Sequence, residues 1–488
     1  MADEYLQVNN EVLVPGLSYG MKNVSSMITS RREVTVFAQP GSFQPPSGRP
    51  IKFHIADASS WWQLATTKLV FELENRNLAA DGVTAAVYPL ELLGPPTVVI
   101  DTLRILSQGV IIENMESYAR TVNTWEATLP KQTREQQGMQ AVPMKDAYGA
   151  HTAGAESDAE PSRKYLAPQE YLTLGPGEKR TVSCTLLSAL MNSGYCWPLM
   201  HASCTVELLL QVNCPSVCAD TFAAADAVGA RDRSVFWGIN LPRLCMSFNT
   251  LSSVGQAEFD SLIAGQGLVL FLNSHTTLQQ SIASKDPRVQ FFRSLANVTD
   301  IFCTLHREID ATHVVGGDID NSAAKGRVLK PLLNAGLRDC IAGKLKECNY
   351  LWNPEQLVTD GLETAATVAG QGEFSLQINW GAKQIPEIAA SGGQLMSHLM
   401  MALGMEQARE GFSDFHSYNH NKFLMGYNLE VYTGTELDNA GLSSRAGESI
   451  QIVMKNAGTS ANYATKLFVH LRSTTKCEIR SGSVRVLD

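Results

Sequence analysis

The sequence predicts an all-β-dominated fold made of antiparallel sandwiches, and three features carry that prediction. Residues 423–488 alternate apolar and polar side chains with period two. Glycines and asparagines interrupt that alternation at strand-length intervals. A similar order of elements runs on either side of a short helical stretch near mid-chain.

The C-terminal block is the clearest. Phe423 to Tyr432 reads as a strand. Ser449 to Lys455 puts Ile450, Ile452 and Met454 on one face. Lys466 to Arg472 turns Leu467, Val469 and Leu471 inward and Lys466, His470 and Arg472 outward. Cys477 to Arg480 and Val484 to Val486 close the chain. Half-buried strands have this pattern because successive side chains point to opposite faces of a sheet. Gly434, Asn439, Gly441, Gly447, Asn456, Gly458 and Gly482 mark the turns. Short strands without intervening helices imply a sandwich or barrel.

At 488 residues the chain is too long for one ordinary domain. Its 44% hydrophobic and 18% charged residues are an ordinary globular composition. The formal charge of −9, from 39 basic and 48 acidic residues, argues against a protein that coats nucleic acid through a basic face. A container with a near-neutral inner wall fits that charge. No apolar run reaches the roughly 18 residues of a membrane helix. Met1-Ala2-Asp3-Glu4 lacks the basic-then-apolar order of a secretory signal. Six of the ten cysteines (Cys184, Cys196, Cys204, Cys214, Cys218 and Cys245) fall in one region without a C-x-x-C pair, which reads as buried free thiols in strands.

Taken in order, residues 1–50 read as an irregular arm with one strand at Glu33 to Phe37. Strands follow at Ile51 to Ala56, Lys68 to Glu74, Val87 to Leu93 and Val98 to Leu106. Met115, Ala119, Val122 and Trp125 then recur at helical spacing, predicting a helix over Glu113 to Leu129 stopped by Pro130. Residues 131–170 are polar and aperiodic, a long exposed loop. Strands resume at Arg180 to Leu187, Cys204 to Val212 and Phe236 to Phe248. Ser253-Val254-Gly255-Gln256 reads as a capping box opening a helix with Phe259, Leu262 and Ile263 on its apolar face and Gly265 at its end. This helix is the expected domain junction. The second half has strands at Leu268 to Leu272, Phe291 to Leu295 and Ile301 to Arg307, then a helix over Leu329 to Leu345. Asn353-Pro354-Glu355-Gln356 looks like a helix start. A strand over Phe374 to Trp380 and a helix with Leu395, Leu399 and Leu403 on its face precede the C-terminal block.

Local patterns that suggest chemistry are incomplete. His416-x-x-x-His420 has one-face helical spacing but lacks the Glu of a zinc-protease helix. His201-x-x-Cys204 has no second pair at zinc-like spacing. Asp318-Ile319-Asp320-Asn321 continues with Ala323 and Leu329 where a calcium loop needs Gly and Glu, so an EF-hand is rejected. Adjacent Trp61 and Trp62 read as core cover, with sugar stacking as the sharper alternative. Met396, Met400 and Met401 read as packing. The sequence therefore offers no catalytic, cofactor-binding or metal-binding residue, and no enzyme is expected.

The order of elements resembles the double jelly-roll major capsid proteins of double-stranded DNA viruses, most like polinton-like viruses and virophages. The resemblance lies in Lys68 to Glu74 with Val98 to Gln108 and Ile111 to Trp125, in Trp197-Pro198-Leu199 ahead of Val206 to Val212, and in Ser234 to Leu251. In the second half it lies in Phe374 to Gly381, Pro386 and Leu395 to Gly404, then in Phe423-x-x-Gly426-x-x-Leu429-Glu430 and the closing strands. It implies two antiparallel eight-stranded jelly rolls in tandem, with short connecting helices and long loops. The domains would be an arm over 1–50, a first roll over 51–252, a linker helix over 253–265 and a second roll over 266–488. It further implies a major capsid protein forming homotrimers of pseudo-hexagonal outline that tile an icosahedral virion shell around double-stranded DNA. The implied partners are neighbouring trimers, penton proteins and minor or cement proteins, with no sequence-specific nucleic acid and no membrane span. Synthesis would be in the host cell without a secretory signal. A carbohydrate-binding or hydrolytic β-sandwich is the alternative, and it requires clustered aromatics and paired carboxylates at one end.

Overall fold

The computed structural model describes residues 27–39, 41–44, 48–76, 90–93, 96–128, 171–174, 177–211, 217–219, 232–233, 237–306, 352–356, 368–369, 371–403, 418, 423–430, 441–445, 447–460, 463–480 and 482–487. The expected loop over 131–170, the expected helix over 329–345, Asp318 to Asn321, His416 and His420 lie outside them. Sixteen strands build two sandwiches. The first contains β1 (Ile28–Phe37), β2 (Ile51–Ile55), β3 (Trp61–Asn75), β4 (Ile100–Ser107), β5 (Val110–Met115), β6 (Cys196–Pro198), β7 (Cys204–Leu210) and β8 (Trp237–Leu251). The second contains β9 (Leu268–Ser281), β10 (Arg288–Phe291), β11 (Val298–His306), β12 (Ser375–Trp380), β13 (Lys383–Ser391), β14 (Met425–Asn428), β15 (Ile450–Lys455) and β16 (Lys466–Arg480).

The two sandwiches share one topology. The first has sheets β1-β8-β3-β6 and β2-β7-β4-β5; the second has β9-β16-β11-β14 and β10-β15-β12-β13. Adding eight to each number of the first set gives the second, and every pairing is antiparallel. The helices repeat too: α1 (Tyr118–Thr128) follows β5, and α3 (Gly393–Leu403) follows β13. Between the sandwiches lies α2 (Ser253–Gly265). Additional strands extend the sheets. Lys179–Cys184 pairs with β3 and Ser483–Leu487 with β16.

Several elements differ from the sequence reading. The stretch read as an arm contains β1, which pairs with β8 from Ile28 to Phe37. The strand expected at Glu33 to Phe37 is its second half, where Val34 and Val36 pack on the core; Ile28 to Arg32 are exposed and carry no apolar alternation to announce the rest. The helix expected from Glu113 starts at Tyr118, because Glu113 and Met115 pair in β5 and Ser117 turns the chain at φ 53°. Met115 and Ala119 share helical spacing only because strand end and helix face the same core. The strands read at Lys466 to Arg472 and Cys477 to Arg480 are one, since Ser473 to Lys476 stay paired with Phe271 to Ser274. The cap of α2 is Ser252, whose hydroxyl accepts from the Gly255 N–H at 3.2 Å. Gln256 instead accepts from Trp61 Nε1–H and donates to Asp260. Helix α2 ends at Gly265 as expected, and the chain then turns at Gly267 (φ 84°). Asn353 does cap its turn, accepting from the Glu355 N–H at 2.9 Å, but that turn is a short 3-10 helix over Pro354–Gln356.

Each half packs its own core. Phe53, Trp62, Phe71, Ile105, Val206 and Leu244 anchor the first; Ile301, Phe374, Ile378, Leu399, Ile452 and Val469 anchor the second. The glycine of the Phe423-x-x-Gly426 pattern has a packing reason. A Cβ there would lie 2.8 Å from both Leu399 Cδ1 of α3 and Phe302 Cδ1 of β11. Gly441 is tighter, because a Cβ would meet the Val298 carbonyl oxygen at 2.4 Å. Gly426→Ala is expected to destabilise by about 1–3 kcal/mol through overpacking. Gly441→Ala is expected to cost more, because backbone cannot swing aside as a side chain does. Denaturant unfolding of both variants against wild type measures the order.

Candidate functional site: the joint between the rolls

Helix α1 belongs to the first roll by sequence yet is buried on both sides. Tyr118, Ala119 and Val122 pack into the first core, while Trp125 packs against the second. The surface it meets is the outer face of β9-β16-β11. Alternation sends Leu467, Val469, Leu471, Ile301, Cys303 and Leu305 inward and leaves Phe468, His470, Arg472, Asp300, Phe302 and Thr304 facing α1. Beneath α1 both faces of this sheet are therefore buried, while Phe271, Asn273 and Gln279 of β9 stay exposed.

A ring of polar contacts fastens the helix to the sheet. Arg120 donates Nε–H to Thr304 Oγ1 at 3.0 Å and Nη2–H to the Leu305 carbonyl at 3.0 Å. Its guanidinium lies 3.9 Å over the Phe468 ring. His470 Nε2 is 3.4 Å from Thr304 Oγ1, and its Nδ1 is 2.9 Å from Thr277 Oγ1. Thr277 in turn lies 2.7 Å from Thr121 Oγ1, which returns the path to α1. The neutral Nδ1–H tautomer of His470 satisfies every member, as Thr304 donates to Nε2 and Nδ1–H donates to Thr277. Burial, with the Arg120 and His275 charges adding, holds His470 down to about 3. Beside the ring, Arg472 donates to Asp300 Oδ2 at 2.7 Å. Burial pushes the Asp300 carboxyl up, and Arg472 pulls it partly back. Trp125 meets Phe302 edge-on at 4.8 Å and His275 at the same distance.

The long pair β9 and β16 makes a second connection. Leu268, Leu270, Leu272, Cys477 and Ile479 pack with the first core; Leu278, Leu467, Val469 and Leu471 pack with the second. Ser473 and Thr475 fill the polar stretch between. At 15 residues β16 is roughly 50 Å long, enough to touch both cores.

The residues singled out in sequence have structural places. Trp61 and Trp62 lie in the first core, and Trp62 Nε1–H donates to Thr67 Oγ1. His201 pairs with Asp260 of α2 at 2.8 Å while Cys204 is buried, so the two do not form a metal pair. Among the described residues no cluster of His, Cys, Asp and Glu has the arrangement of a metal site. Met396 and Met400 pack against the second core, but Met401 is 65% exposed. Buried Glu113, its carboxyl pushed up by burial, accepts from Ser188 Oγ–H and the Ala189 N–H, tying β5 to the turn over 188–191. Cys184, Cys204, Cys303 and Cys477 are buried free thiols. No helix among the described residues is long and apolar enough to cross a membrane. Sequence reading missed the α1 joint. The one available signal was His470 and Arg472 reading outward, which carried no hint of what covers them.

No family model matches the chain, and no curated protein matches it in sequence. Solved structures do match in shape. The cryo-EM structure of the Sputnik virophage matches with TM-score 0.57 at 10% identity, over 98% of this chain and 92% of that one. PBCV-1 VP54, fitted into a reconstruction of the same virophage, matches with TM-score 0.54 at 8% identity, over 96% and 99%. The Faustovirus major capsid protein matches with TM-score 0.54 at 8% identity, over 97% and 94%. The chain has the double jelly-roll fold of viral capsid proteins. The likeness runs nearly end to end, so it covers both rolls and the joint between them.

Folding linkage makes the joint acid-sensitive. His470 is 1% exposed and stays neutral when folded, whereas an unfolded histidine takes a proton near pH 6.5. Its contribution is therefore present above about pH 6.5 and is lost as pH falls toward the folded value of about 3. The expected loss from His470 is about 2 kcal/mol at pH 5. Thr277→Val, which leaves the Nδ1–H without its acceptor, is expected to cost about 1–2 kcal/mol at pH 7. Unfolding free energies of wild type, Thr277→Val and His470→Gln at pH 7 and pH 5 check both. His470→Gln is expected to flatten the acid slope.

Proposed function

We propose that this protein is a major capsid protein, a shell subunit and not an enzyme. The single observation that carries the reading is the duplicated strand order, with β9 to β16 repeating β1 to β8 pairing for pairing. Two such rolls, joined by a sheet buried on both faces beneath α1, make a thick block suited to paving a surface. The proteins of like shape include the Faustovirus major capsid protein and the PBCV-1 capsid. The chain assembles as homotrimers, six rolls in a near-hexagonal outline, and these tile an icosahedral shell around double-stranded DNA. The first roll runs from Ile28 to Ser252, α2 is the junction, and the second roll runs from 266 to 488. Penton and cement proteins are the further partners in the virion. The sugar-binding alternative loses its aromatic platform, because Trp61 and Trp62 are buried in the first core.

Light scattering on purified protein is expected to give about three times the 53.1 kDa chain mass, and electron microscopy hexagonal outlines or closed shells. A stable monomer at micromolar concentration, with featureless particles, overturns the proposal.

A further inference from the structure

Among the described residues, the repeat leaves one helix and one sheet face without their counterparts. Within the chain, α1 covers the outer face of β9-β16-β11. The equivalent face in the first roll is the outer face of β1-β8-β3, where Thr35 stands opposite Cys245, Cys245 opposite Lys68, and Arg243 opposite Val70. That face is half-buried to exposed, and Phe37 at its edge is 57% exposed. The equivalent helix is α3. Leu395, Leu399 and Ala402 bury its inner side against its own roll, while Gln394, Ser397 and Met401 stay exposed. Every described residue of α1 whose burial is defined is at least half-buried; α3 presents a whole open side.

We infer that α3 of one chain docks on the outer face of β1-β8-β3 of a second copy, repeating between chains the contact that α1 makes within one. The inference rests on the homotrimer reading and adds the surface that builds it. Topology favours a second copy as occupant, because helix and face are the unused halves of a contact the chain already makes once. The two surfaces differ, so the contact is head-to-tail, and such contacts close into rings when the rotation allows. Three chains use each helix and each face once and leave neither open. Met401 and Phe37 supply the apolar anchors, and Lys68 and Arg243 the polar rim.

The test places a photo-crosslinking residue at position 401 of the full chain and adds the variants Met401→Glu and Phe37→Glu. Crosslinks from 401 are expected in 28–37, 63–72 or 240–247 of a different chain, shown by mixing isotope-labelled and unlabelled protein. Each Glu variant is expected to weaken trimerisation at least tenfold while near-wild-type circular dichroism shows that the monomer is folded. Both positions are exposed, so folding should survive; if either variant unfolds, the crosslink map alone decides. A wild-type trimer that persists in both variants, or that crosslinks elsewhere, overturns this interface and leaves the trimer reading standing. A monomeric wild type overturns the trimer reading itself.

Discussion

The structure depends on a sheet that is buried on both faces where the two rolls meet. Most antiparallel sheets in sandwiches bury one face and wet the other. Here β9-β16-β11 buries Leu467, Val469 and Ile301 on its inner face and His470, Phe302 and Thr304 on its outer face. The cover for the outer face comes from the other roll, through α1. Without it, Arg120, His470 and Thr304 would need water that the packed interface excludes.

The polarity of that joint has a physical use. An apolar helix on an apolar sheet could settle in several registers. A ring that runs from Arg120 through Thr304, His470 and Thr277 back to Thr121 closes in one register only. Buried polar groups contribute little net stability when satisfied and cost much when orphaned, so they select among arrangements. The long β9 and β16 pair acts alongside, holding one core at each end. Together these contacts make two sandwiches into one block.

Duplication also explains how the strand edges are managed. An exposed edge invites pairing with another chain. Ser483–Leu487 and Lys179–Cys184 add pairing beyond the basic set. The exposed β1 places Arg31, Arg32 and Glu33 along an edge, and charge there discourages stray pairing.

The sequence by itself determined which stretches alternate, and hence the two sets of strands. The runs at 68–74, 204–210, 375–380 and 450–455 were legible because one buried face imposes period two on each. The glycine at 426 was legible as part of a pattern, though its reason, Leu399 and Phe302 filling the place a Cβ would take, was not. Val34 and Val36 made the second half of β1 legible, but only tertiary structure decided that the strand starts back at Ile28, because Ile28 to Glu33 are exposed and show no apolar face. It alone decided that β16 runs unbroken through Ser473 and Thr475, where a polar gap between two cores reads locally as a turn. And it alone brought Arg120 to His470. Those residues lie 350 positions apart, and a contact at that distance leaves no local period to read.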